Sequence, residues 1–95
     1  MRRMEIIYDQ AKEVINQAKH DVSLGLAAQM EWETLWVYPD TRRDYGESRF
    51  IGFAYIGLRL FCVIFTERDA ETETLRRIIS LRKANPREIK RYAEA

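Results

Sequence analysis

The run Leu58 to Thr66 is apolar in both of its alternating sets, Phe61, Val63 and Phe65 on one side and Leu60, Cys62 and Ile64 on the other. Successive side chains of a strand point to opposite faces, so such a strand must be central in its sheet and covered on both faces. A second strand-forming run, Arg49 to Tyr55, precedes it with only Ile56-Gly57 between, which predicts a hairpin. A chain of 95 residues can build one hydrophobic core, so the other segments must be arranged around this hairpin.

Glu5 to Tyr8 reads as a short strand, and Asp9 is a good N-cap for a helix over Gln10 to Lys19. Ala11, Val14, Ile15 and Ala18 recur there at i, i+3, i+4 and i+7, which predicts the buried face, with Lys12, Asn16 and Lys19 on the opposite one. Lys19 and His20 place cations near the helix's negative pole, and Asp21 tolerates a left-handed turn. Ser23 caps a second short helix through Leu24, Leu26, Ala27, Ala28 and Met30, weakened by Gly25. A strand is expected at Leu35 to Tyr38, closed by Pro39-Asp40, then a loop from Thr41 to Glu47 centred on Gly46. Beyond the hairpin lie an acidic loop at 67–73, a strand at Leu75 to Arg82, and a helix start at Asn85-Pro86-Arg87-Glu88 with N-cap, proline at N1 and glutamate at N3. Ile89 and Tyr92 are the expected buried contacts of that last helix. The expected fold is a single α+β domain over residues 1–95, with N-terminal helices packed on one face of a small antiparallel β-sheet and a short C-terminal helix.

With 46% hydrophobic and 33% charged residues the chain has the make-up of a folded protein, not a disordered one. One histidine and one cysteine cannot form a His/Cys zinc site, and the four glycines spell neither a phosphate loop nor a dinucleotide fingerprint. The acids at 67–73 read as a solvated loop, with a carboxylate-bound Mg²⁺ as the lesser alternative, so neither metal nor cofactor is expected. Cys62, inside the apolar run, reads as a small buried hydrophobe in a reducing compartment. No apolar stretch follows the N-terminal Met-Arg-Arg-Met, as a secretory signal would require. The longest apolar run, residues 60–65, is far shorter than the roughly 20 residues of a spanning helix. A cytoplasmic protein without a membrane partner is the expectation.

Net charge is only +1, but Arg76, Arg77, Arg82, Lys83 and Arg87 crowd one stretch. On composition alone such a cluster suits an anionic partner, RNA above all, and equally a solubility device at a strand end. Fixed arginines and lysines also suit RNA cleavage by its own 2′-hydroxyl, which passes through a dianionic phosphorane and needs a base and an acid. In a regular strand Arg76, Ile78, Ser80 and Arg82 share one side, and Leu75, Arg77, Ile79 and Leu81 the other. His20, with an ordinary pKa of about 6.5, is suited to proton transfer near neutrality, and Lys19 beside it favours the neutral form.

Four blocks, in order and at matching spacing, resemble the BrnT family: Asp9-x-x-Lys12-x-x-x-Asn16-x-x-Lys19-His20-x-Val22; Asp44-Tyr45-Gly46-Glu47-x-Arg49-Phe50-Ile51; Phe65-Thr66-Glu67-Arg68; and Arg77-Ile78-Ile79-Ser80-x-Arg82-Lys83-Ala84 with Glu88 and Tyr92. The resemblance covers about positions 5 to 92. It implies a bacterial type II toxin of RelE-like fold, a metal-independent endoribonuclease that arrests growth. It also implies a BrnA-like antitoxin, encoded beside the toxin, that neutralises it and alone touches the operon DNA.

Carried over by position, it implies a catalytic set of Lys19, His20, Arg49, Glu67, Arg77, Ser80 and Arg82, with Lys12, Asn16, Arg68, Lys83 and Tyr92 binding RNA, and Arg87 of the basic cluster is expected to bind RNA beside them. Arg49 and Arg82 are expected to hold the scissile phosphate, with Lys19 or His20 assisting proton transfer. Asp21, Leu24 and Leu81 depart from the glycine, phenylalanine and small residue usual in the family. Asp21 is expected to raise the pKa of His20 against Lys19. A non-cleaving protein of the same fold, docking antitoxin or RNA, is the alternative.

Overall fold

The computed structural model describes residues 3–95. In chain order it contains β1 (Arg3–Ile7), α1 (Gln10–His20), 3₁₀ segments at Leu24–Gln29 and Trp32–Thr34, β2 (Trp36–Pro39), β3 (Phe50–Ile56), β4 (Arg59–Asp69), β5 (Glu73–Lys83) and α2 (Pro86–Glu94). The five strands form one sheet in the order β1-β5-β4-β3-β2. The α+β class is as expected, and β4 is flanked by β3 and β5 with Leu60 to Val63 and Phe65 buried. No helix among the described residues is long and apolar enough to cross a membrane.

Several expectations about these elements need correction. The sheet is mostly, not wholly, antiparallel: β1 runs parallel to β5. No hairpin links these strands, so no tight turn dictates their relative direction. The second helix is 3₁₀, its Ser23 Oγ accepting from the Gly25 N–H at 3.2 Å and its backbone bonds running i to i+3. The acidic stretch is largely strand, because Glu67 meets Arg76 across the ladder (2.7 Å) and the Thr74 hydroxyl bonds Asp69 (3.0 Å). The first hairpin turns at Gly57-Leu58, one residue later than expected, where Gly57 takes the left-handed φ of 60°.

Two apolar clusters lie against the sheet. The first joins Val22, Leu24, Ala27 and Met30 to Ala54, Phe61, Val63, Phe65, Ile78 and Leu81. The second joins Ile51, Phe53, Leu60, Cys62 and Ala84, with Trp36, Tyr55 and Tyr92 packed on it. Both alternating sets of β4 are thereby buried.

The largest correction concerns α1. Its apolar stripe faces solvent, with Val14 61% and Ile15 59% exposed, and its buried residues are Glu13 and Asn16. Both are fully engaged. The Glu13 carboxylate accepts from Ser23 Oγ (2.6 Å), the Leu24 N–H (2.7 Å) and Gln17 Nε2 (3.3 Å), bonds that hold its pKa below the usual carboxylate value. The Asn16 amide donates to the Leu81 carbonyl (2.8 Å) and the Val22 carbonyl (2.9 Å) and accepts from the Leu81 N–H (3.1 Å). The pairing of β1 with β5 ends at Arg77, and at Leu81 the Asn16 side chain takes over the role of a neighbouring strand. Asn16 therefore holds α1 to β5 and is not at the surface where an RNA-binding role had been expected.

The helix ends follow the sequence closely. Asp9 accepts from the Ala11 N–H (2.8 Å), Asp21 ends α1 at φ 57°, and Asn85 with Glu88 forms a reciprocal capping box on α2. Tyr92 anchors α2 against Trp36 and Tyr55, with ring centroids 6.1 and 5.7 Å apart, whereas Ile89 is exposed rather than buried. Tyr92 is thus occupied by intramolecular packing.

Candidate functional site

A β-bulge assembles the site. Along β4 and β5, Arg82 pairs with Cys62 and Ser80 with Ile64, but the next pair is Ile78 with Phe65, which leaves Ile79 as the extra residue. Regular alternation had put Arg76, Ser80 and Arg82 together; the bulge resets the phase below it. Arg77, opposite Thr66, therefore shares a face with Ser80 and Arg82. Arg76 turns to the other face, over the Trp32 ring at 4.6 Å, and pairs there with Glu67.

On the first of these faces each arginine meets a carboxylate. Both terminal nitrogens of Arg82 bond the two oxygens of Glu88 at 2.8 Å, which holds the Glu88 pKa down and raises that of Arg82. Glu47 bridges Arg77 (2.7 Å) and Arg49 (3.0 Å), and its own pKa is lowered, chiefly by Arg49. The Arg49 guanidinium lies 4.1 Å from the Tyr45 ring centroid. Arg77, Arg68, Thr66, Glu47 and Ser48 line a cleft of about 420 Å³, within the usual range of small-ligand sites.

The loop between β2 and β3 is organised by Asp40. Its side chain is 0% exposed and accepts from the Arg42 Nε and a terminal nitrogen (both 2.8 Å) and from the Tyr45 hydroxyl (3.2 Å). These bonds, Arg42 first, hold the Asp40 pKa at about 2. A depressed folded pKa stabilises the fold above the ordinary carboxylate value, and that contribution disappears as pH falls from about 4 towards about 2. Asp40→Asn should therefore be less stable at neutral pH and show a flatter stability profile over that interval. Denaturant titrations at several pH values check this, and parallel profiles would contradict it.

His20, at the end of α1, is disfavoured as an imidazolium by burial first, then by Lys19 and Arg82. The neutral imidazole is thereby favoured over the imidazolium. The expected upward pull of Asp21 is outweighed, because the groups that set this pKa all favour the neutral form. Cys62 is buried and its thiol is pushed up to about 11, mainly by burial, as suits a packing residue rather than a nucleophile.

The structure thus places Arg77, Ser80 and Arg82 on one sheet face, ties Arg49 to Arg77 through Glu47, and sets Arg68 in the adjoining cleft; His20, beside Lys19, stands at the end of α1 where the Arg82 charge acts on it. Glu67 pairs with Arg76 and also lines the cleft that holds Arg77 and Arg68. Lys19, Lys83 and Arg87 are exposed and Lys12 half-buried, none with an ion pair among the described residues. Asn16 is held in backbone hydrogen bonds to Leu81 and Val22, and Tyr92 packs on Trp36 and Tyr55. Asp40, Arg42, Tyr45, Glu47 and Glu88 were not among the expected site residues. Tyr45, Glu47 and Glu88 stand within the four blocks quoted above, whereas the Asp40-x-Arg42 clamp carries only the faint signal of an aspartate accepting from a backbone N–H two residues on.

Residues 8–88 match the family model described as "Ribonuclease toxin, BrnT, of type II toxin-antitoxin system". No curated protein matches the chain.

Proposed function

The chain belongs to the BrnT family, the ribonuclease toxins of type II toxin-antitoxin systems, and we propose that it cuts RNA on the face bearing Arg77, Ser80 and Arg82. As a member of that family it is a ribonuclease toxin, and the system supplies a protein antitoxin that neutralises it. The observation that carries the choice of face is the fork of Arg82, whose two terminal nitrogens grip paired oxygens at 2.8 Å on a surface that also holds Arg77 and Ser80, with the Arg82 charge acting on His20. A bidentate arginine fits phosphate as well as carboxylate. Glu88 stands in for that phosphate in the free protein.

In the proposed reaction His20 takes the proton of the 2′-hydroxyl, whose oxygen bonds to phosphorus as the bond to the 5′-oxygen breaks. Lys19 or the newly protonated His20 returns a proton to the leaving oxygen. Arg82 and Arg49 meet the charge that grows on the non-bridging oxygens. Arg68, Lys83 and Arg87 attract the flanking backbone. The fold is RelE-like in this reading, with the N-terminal helices on one sheet face. The protein works in the cytoplasm, and its BrnA-like antitoxin makes the contact with DNA.

No step calls for a metal. Purified protein with excess EDTA should leave 2′,3′-cyclic phosphate and 5′-hydroxyl ends on RNA at an undiminished rate; loss of cleavage in EDTA would overturn the metal-independent mechanism. The second reading, a docking protein that does not cleave, draws on the carboxylate partners that Arg77, Arg49 and Arg82 already have. Intact RNA in the same assay, with the antitoxin still bound, would favour it.

A further inference from the structure

The exposed stripe of α1 has no partner within the described chain. Ala11, Val14, Ile15 and Ala18 lie at helical spacing along the outward side of an eleven-residue helix, while Glu13 and Asn16 hold the inward side to β5 and to the segment after α1. Scattered exposed apolar residues need no explanation, but an ordered stripe on a helix with a polar buried face is the signature of an interface. Helical geometry places Lys12 and Lys19 along one flank of the stripe and Gln10 and Gln17 along the other. The flank therefore carries two lysines that form no ion pair among the described residues.

This charge selects the occupant. A second copy packed antiparallel on the stripe would set Lys12 and Lys19 beside the same lysines of its mate, a like-charge contact. A helix with an apolar face and acidic residues along one edge would satisfy both features at once. We propose that the outward face of α1 is the docking surface for an amphipathic, acid-edged helix of the antitoxin. This proposal rests on the toxin–antitoxin reading above. Lys19 and His20 are consecutive, so a helix seated on this flank also engages the lysine next to the base and covers one side of the cleavage site. Neutralisation then follows from occlusion and from competition for Lys19.

The test uses Val14→Glu/Ile15→Glu in the full chain. Both positions are about 60% exposed and lie outside the cleavage face, so the variant should fold and cut RNA at the wild-type rate. Its affinity for the antitoxin encoded beside it should fall about 100-fold or more, because docking would press two carboxylates against an apolar, acid-edged partner. Titration calorimetry with the purified antitoxin measures this independently of cleavage. Growth arrest by the variant despite antitoxin co-expression would support the proposal. Unchanged antitoxin affinity would overturn it, as would concentration-dependent dimerisation of the wild-type chain that the substitutions abolish, which would assign the stripe to a second copy. Failure of the wild type to cut RNA, with antitoxin binding still lost in the variant, would sink the ribonuclease reading and leave the docking surface standing.

Discussion

Arg82→Ala should slow RNA cleavage about 100-fold or more, the usual cost of removing one fixed donor from a developing oxyanion. Arg82 presents two donors in a rigid fork, and its position is set by the β5 backbone beside Cys62 and by the paired oxygens of Glu88. Arg82→Lys keeps the charge and loses the fork, so it should recover only part of the rate. The fold should survive both changes. The Arg82–Glu88 pair is partly exposed, a setting in which an ion pair contributes about 0–1 kcal/mol. Single-turnover kinetics, with a thermal melt of each variant, separates the two effects, and a wild-type rate in Arg82→Ala would remove Arg82 from the mechanism.

Asn16→Ala should be the more damaging change to stability. It would strand the Leu81 N–H and the carbonyls of Leu81 and Val22 in a buried position. At 1–3 kcal/mol for each unsatisfied group, with some relief from relaxation, the expected loss is about 3 kcal/mol. For a domain of this size that corresponds to roughly 15 °C in Tm. Val14→Ser, at an exposed position, should change stability by less than about 0.5 kcal/mol. Helical periodicity alone would rank these two substitutions the other way round. Urea denaturation of both variants decides the matter: a neutral Asn16→Ala beside a destabilising Val14→Ser would mean that α1 packs by its apolar face.

These two residues also mark where sequence reasoning succeeds and where it stops. The doubly apolar β4, the first hairpin and the caps at Asp9 and Asn85 were legible because each depends on residues close together in the chain. The orientation of α1 was not, because periodicity shows that a helix has two faces without saying which one its neighbours require. That was decided by β5 outrunning β1, which left backbone groups at Leu81 that only a side-chain amide could meet. The bulge at Ile79 was hidden too, since Ile79 is an ordinary strand residue and the shift arises from pairing with β4. Without it Arg77 and Arg82 would point to opposite faces. The basic residues themselves were legible as a group, but their arrangement depends on Glu47, Glu88 and the buried Asp40, carboxylates that look like solubilising charge in a one-dimensional reading.

The assignment of the cleavage face rests on Glu88 holding the place of a phosphate. A crystal structure of the protein with a short RNA carrying a 2′-O-methyl group at the scissile nucleotide tests it most directly. The phosphate should sit within hydrogen-bond distance of both Arg82 terminal nitrogens, with Glu88 displaced and His20 facing the 2′-oxygen. RNA bound on another surface, with the Arg82–Glu88 pair intact, would contradict it.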